Sequence, residues 1–179
     1  MWKWVGLVFL AIVAVLSAVV AAQPSQFEVR RSLVMQAPPQ AVFEQVEDFH
    51  LWARWSPWEK LDPAMKKHFS GPPTGVGTSY HWVGNDQVGE GRMTIVSAAM
   101  PSRIEIKLEF LEPWEATNPT VFSFEPEGSG TRATWSMTGK NDFIGKAFSL
   151  AMDMDALVGA DFDKGLAALA QVAAASAAQ

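Results

Sequence analysis

Between Arg103 and Leu111 the side chains alternate without a break. Ile104, Ile106, Leu108 and Phe110 point one way; Arg103, Glu105, Lys107 and Glu109 point the other. Successive side chains of a strand leave on opposite faces, so this segment has one dry face and one wet face. Such a strand belongs to an antiparallel sheet covered on one side only, and something apolar must cover the dry side.

The rest of the chain supplies both sheet and cover. Phe27–Met35 alternates and reads as a strand, stopped by Ala37-Pro38-Pro39. Ala41, Val42, Phe43 and Val46 then recur at helical spacing up to Asp48, and a second short helical piece covers Phe49–Trp55 before Pro57. Strands follow at Met65–Phe69, Val76–Val83, Val88–Ala98, Arg103–Leu111, Thr120–Glu125 and Thr131–Thr138, separated by Gly- and Pro-bearing turns. The carboxyl-terminal stretch reads as one long helix, with Phe148, Met152 and Asp155 on one side. Leu150, Met154, Leu157, Val158, Phe162, Leu166, Leu169 and Val172 form its apolar stripe. The expected class is α+β: an antiparallel sheet of about 6–7 strands wrapped on a long carboxyl-terminal helix. A strongly twisted sheet around a helix leaves a gap between them, which is where a ligand would go.

The amino-terminal segment stands apart. From Trp4 to Ala22 no residue is charged, and as a helix the run is about 28 Å long, close to a bilayer's hydrocarbon core. Lys3 precedes it, so a single-pass anchor would leave the remainder on the extracytoplasmic side, with Trp2 and Trp4 at the interface. A signal peptide cut after Val20-Ala21-Ala22 is the competing reading and gives a secreted or periplasmic product. The expected division is therefore an anchor or signal at 1–22 and a ligand-binding domain at 24–179.

Composition excludes several chemistries. Fourteen Lys and Arg against nineteen Asp and Glu give a net charge of −5, which disfavours a nucleic-acid partner. There is no cysteine, so disulfides, thiolate metal sites and a Cys nucleophile are out. His50, His68 and His81 lack metal-binding spacing, and Asp153 and Asp155 lie about 200° apart on a helix; no metal is expected. The glycines at 71, 75, 77, 84, 89 and 91 form no phosphate loop, and Ser56 has no hydrolase setting, so no nucleotide or other cofactor is expected. Eight Trp and eleven Phe against one Tyr point to large buried apolar surfaces or an aromatic-lined pocket.

Candidate site residues follow from these patterns. Trp52, Trp55 and Trp58 either line a pocket mouth or plug one end of the core. Tyr80, Trp82, Met93, Phe110, Phe122, Phe124, Trp135 and Met137 lie on strands, and the register decides whether each is core or lining. Glu90 and Arg92 share a strand face; turned inward they would form a buried pair able to orient a ligand carbonyl or carboxylate, and turned outward they are solvated. With His81 they are the candidate acid/base groups. Gly89 and Gly91 mark a bulge or a close backbone approach. Gly159 and Gly165 let the last helix near the sheet or leave room for a ligand.

Four segments together carry a resemblance. Trp52-x-x-Trp55-Ser56-Pro57-Trp58-Glu59-Lys60-Leu61-Asp62-Pro63, Gly71-Pro72-x-x-Gly75-Val76-Gly77, Trp82-x-Gly84-Asn85 and Gly89-Glu90-Gly91-Arg92-Met93 resemble the polyketide cyclase/dehydrase-like branch of the START/Bet v 1-like (SRPBCC) superfamily over residues 27–172. The resemblance implies a helix-grip fold, and members that are lipid carriers, hormone receptors or aromatase/cyclases. It brings no catalytic set to named positions, since fold alone does not fix function. Three functions are expected to compete: binding of a small hydrophobic molecule, with Trp55, Trp58, Tyr80, Trp82, Met93, Phe110, Trp135 and Met137 as lining; a cyclase or dehydratase using pocket acid/base groups; and an interaction module with exposed Trp and a filled interior.

Overall fold

The structure, a computed structural model, describes residues 2–150 and 153–178. The helix α1 (Trp2–Ala21) leads into β1 (Gln26–Met35), α2 (Pro39–Glu47) and two 3-10 turns at Phe49–Arg54 and Pro57–Lys60. Then come β2 (Lys66–Ser70), β3 (Ser79–Val83), β4 (Glu90–Ala99), β5 (Arg103–Glu112), β6 (Ala116–Glu127), β7 (Gly130–Lys140), α3 (Phe143–Ser149) and α4 (Met154–Ala177). All seven strands form one sheet in the order β1-β7-β6-β5-β4-β3-β2, each neighbouring pair antiparallel. Register shifts at Glu90/Gly91 and Ile95/Ser97 put bulges into the β4–β5 ladder, which bend the sheet.

One half of the sheet's dry face is solidly packed. Ile95, Ile104, Ile106, Phe122, Phe124, Ala133 and Met35 are buried there, as are Val42, Phe43 and Val46 of α2. The helix α2 packs on β5, β6, β7 and α4, and Phe43 meets Phe124 edge-on at 5.9 Å. Phe162, Leu166, Leu169 and Ala173 of α4 complete this core.

The single long helix expected at the carboxyl end is two helices. Asp153 has extended backbone dihedrals and its side chain accepts from the Ala156 amide at 3.0 Å, so it caps α4 and starts it afresh. Asp142 caps α3 in the same way, accepting from the Gly145 amide at 2.7 Å. Met152, read as part of that helix, lies outside the described residues. Leu157, expected in the buried stripe, is 56% exposed. The strand expected from Val76 begins at Ser79, because Gly75 and Gly77 hold positive φ in the preceding turn.

Arg31 fixes α4 across β1. Its guanidinium reaches Asp155 at 2.8 Å and Asp163 at 3.4 Å, two carboxylates two turns apart on one helix face. A Cβ on Gly159 would lie 1.9 Å from that guanidinium, so the glycine is what lets Arg31 lie across the helix. The hydrogen bond from Arg31 holds the Asp155 carboxyl below its ordinary range.

The helix α1 carries no buried residue over Trp4–Ala21, and among the described residues it is the one helix long and apolar enough to cross a membrane. Two substitutions on α4 separate its buried from its exposed face. Leu169→Ala should lower the unfolding free energy by about 2–5 kcal/mol in a urea titration. Leu157→Ala should change it by less than about 0.5 kcal/mol.

Candidate functional site

The other half of the grip is hollow. A cavity of about 1350 Å³ lies between the sheet and the last two helices. Antiparallel pairing explains where it lies: the ends of β3, β5 and β7 and the starts of β1, β4 and β6 come to one edge of the sheet. The strand residues lining the cavity come from that half, among them Trp82, Leu108, Phe110, Asn118 and Met137. Phe148, Met154, Val158 and Phe162 line it from the helices.

Seven of the eight residues expected to line a pocket, Trp58, Tyr80, Trp82, Met93, Phe110, Trp135 and Met137, stand in its wall. Trp55 does not: it is 1% exposed, packed against Trp135 at 5.7 Å, and its indole donates to the Gln45 carbonyl at 3.1 Å. Phe122 and Phe124 are likewise buried in the solid half. Trp52 has both roles; it touches the cavity while donating to the Val46 carbonyl at 2.9 Å. Trp135 stacks on Phe162 at 4.1 Å, and its Nε1 is buried without a hydrogen-bond partner among the described residues.

Trp82 shows how sequence sets the wall. It sits directly across from Gly91, where a Cβ would come within 2.3 Å of its ring. Only a bare backbone lets the indole lie flat there, with its Nε1 donating to the Val88 carbonyl at 3.1 Å.

Of the charged residues lining the cavity, Glu28, Glu115, Lys140 and Asp142 are exposed, and Glu59 is the one with a buried side chain. The Glu59 side chain is 8% exposed, accepts from the Tyr80 hydroxyl at 2.8 Å and pairs with Lys67 on the edge strand β2. Burial, then the hydrogen bond to Glu59, pushes the Tyr80 phenol far above its ordinary value. Ser56, Asn118 and Thr120 are the other buried polar residues in the wall. Glu59 falls within the Trp-rich motif but nothing there marks it as special. Its partner Tyr80 is 21 positions away, and only the fold joins them.

The three candidate acid/base groups are not brought to the cavity. His81 Nε2 meets Glu90 Oε1 at 2.9 Å, and Arg92 pairs with Glu109 at 3.2 Å, all four outside the cavity wall. Their strand neighbours Tyr80, Trp82 and Met93 take the inward positions, so alternation turns these charges to the outer face. The hydrogen bond from Lys107, joined by one from Arg92, holds the Glu109 carboxyl below its usual range. Among the described residues no cluster of three or more His, Asp and Glu could hold a metal.

This architecture, a curved antiparallel sheet closed over a carboxyl-terminal helix, is the α+β helix-grip fold of the SRPBCC superfamily. The chain belongs to the family described as polyketide cyclase / dehydrase and lipid transport, whose pattern matches residues 26–174. No curated protein matches this chain. Solved structures share its fold at low identity. A Staphylococcus aureus protein of unknown function is 16% identical with a TM-score of 0.61, over 89% of this chain and 99% of its own. The protein Ara h 8.0201 is 12% identical with a TM-score of 0.54, over 86% of this chain and 99% of its own. The di-domain ARO/CYC BexL from the BE-7585A biosynthetic pathway is 20% identical with a TM-score of 0.58, over 89% of this chain and 52% of its own.

The chain has one tyrosine, so tyrosinate absorbance near 295 nm reports Tyr80 alone. A phenol raised in the fold contributes stability that is fully present below about pH 10, the unfolded value, and is lost as pH climbs toward the folded value. No tyrosinate should form until the protein unfolds in alkali, and Glu59→Gln should bring the titration to lower pH. Titration of the native chain near pH 10 would show that Tyr80 is not buried against a carboxylate.

Proposed function

We propose that this chain holds a small, mostly apolar molecule, lipid- or polyketide-like, in the cavity between its sheet and α4. In this reading residues 1–22 are a single-pass anchor and residues 24–179 form the binding domain on the extracytoplasmic side. The observation that carries the reading is the carbon-rich hollow of about 1350 Å³. It is larger than the ~300–1,000 Å³ of ordinary small-molecule pockets and suits a long-chain or multi-ring ligand. Tyr80, Glu59, Asn118 and the unpartnered Trp135 Nε1 give such a ligand a few polar contacts that would fix its orientation.

Cyclisation or dehydration inside the cavity is the second reading, and the family description favours it. Its acid/base candidates are the carboxylates that line the cavity, Glu28, Glu59, Glu115 and Asp142, with Lys140, and of these Glu59 has the buried side chain. A useful proton-transfer group titrates near working pH, whereas Tyr80 is pushed away from it and its hydroxyl already donates a hydrogen bond to Glu59. Catalysis here would rest mainly on holding the substrate folded. A filled interior, as an interaction module requires, does not fit the hollow half of the grip.

The test is native mass spectrometry of the full chain released from nanodiscs, with intrinsic Trp emission followed against a panel of fatty acids, phospholipids and aromatic polyketides. At least one class should be retained at one molecule per chain and change the emission. Retention of none, with emission unchanged throughout, would contradict the reading.

A further inference from the structure

We infer that the mouth of the cavity docks on the bilayer, with α3 seated among the outermost acyl chains, so that the ligand enters from the membrane rather than from water. This rests on the anchored reading of α1 given above and deepens it by naming where the ligand comes from.

Topology is the first argument. The hollow half of the grip lies at the sheet edge where β1 starts, and β1 is the strand into which α1 feeds. Only residues 22–25 separate the two elements, a span of at most about 14 Å. The opening therefore faces the side from which the apolar helix arrives, and the solid half faces away.

Contact is the second. The helix α3, which borders the opening, packs against α1, and Lys146 donates to the Ala21 carbonyl at 3.1 Å. A second recess of about 540 Å³ lies at this junction, between β1 and the end of α3. It shares Gln26, Phe27, Glu28, Asn141, Ser149 and Met154 with the main cavity and so adjoins it sideways.

Surface chemistry is the third. Outside α1, the large aromatic side chains exposed among the described residues are Trp114, Phe143 and Phe148. Trp114 is in the β5–β6 turn and the two Phe are on α3, all at the open edge, with Ile144 and Leu150 beside them at 64% and 51% exposed. Exposed apolar patches of this kind mark interaction sites. Aromatic rings favour the membrane–water interface, and this patch is continuous with a helix that itself suits a bilayer.

The chain has no cysteine, so single-cysteine variants label cleanly. The full chain carrying Ile144→Cys, Trp114→Cys or, at the opposite edge, Met100→Cys is labelled with an environment-sensitive fluorophore. It is then reconstituted in phosphatidylcholine vesicles containing acyl-chain nitroxide lipid. Probes at 144 and 114 should be blue-shifted and strongly quenched, and the probe at 100 should not. In the Phe143→Ser/Ile144→Glu double variant, uptake of a fluorescent fatty acid from vesicles should slow on the order of tenfold. Its affinity for the same fatty acid in detergent should be unchanged, because neither residue lines the cavity.

Equal quenching at all three positions overturns the inference, even where a ligand is retained. So does shielding of 144 by cross-linking between two copies of the chain. Quenching confined to 144 and 114 upholds the docking of the mouth on the bilayer even where nothing is retained, in which case the ligand-binding reading, and with it the entry of a ligand, fails.

Discussion

The structure depends on a mismatch of areas. Seven strands present a dry face that must be hidden from water, and α2 with the carboxyl-terminal half of α4 hides only part of it. Where they reach, packing is solid, with Ile104, Ile106, Phe122 and Phe124 almost wholly buried. Where they do not, large side chains rim a hollow instead of filling it. The bulges in the β4–β5 ladder curve the sheet around both halves, and Arg31 between Asp155 and Asp163 holds the start of α4 at its distance from β1.

Charge is distributed to suit that division. The outer face carries its ion pairs in water, where each contributes little. The inner face admits Glu59, and it does so with two partners, Tyr80 and Lys67, which makes a buried carboxylate tolerable. A mostly apolar chamber with a few fixed polar groups, Glu59 the buried charge among them, discriminates by which end of a ligand is polar, more than by the detail of its shape. Carriage and orientation-driven cyclisation both draw on that property.

Much of the fold was legible because one-sided alternation is hard to mimic. The alternation of Arg103–Leu111 coincides with β5, Arg103–Glu112, and turn residues between alternating runs mark the order of the strands. The break before α4 does not show in the sequence although Asp153 is a capping residue, because the apolar stripe runs through it and masks the local signal. The site was less legible. Alternation shows that two sets of residues face opposite ways but not which set faces in, so Glu90, Arg92 and His81 were as eligible as Tyr80, Trp82 and Met93. The decision is made by cross-strand partners such as Gly91 under Trp82, and by pairs distant in sequence such as Glu59 with Tyr80. Trp55 and Trp58 read alike in sequence, yet the first plugs the core and the second faces the cavity.

The hollow itself is tested most directly by filling it. Urea unfolding of Met137→Trp, at the cavity wall, is compared with that of Ile104→Trp in the solid half. An empty chamber accepts the larger ring at 137 for less than about 1 kcal/mol, while overpacking at 104 costs about 1–3 kcal/mol or more. Equal losses at the two positions would mean that the sheet is filled along its whole length, and the account of a half-hollow grip would be wrong.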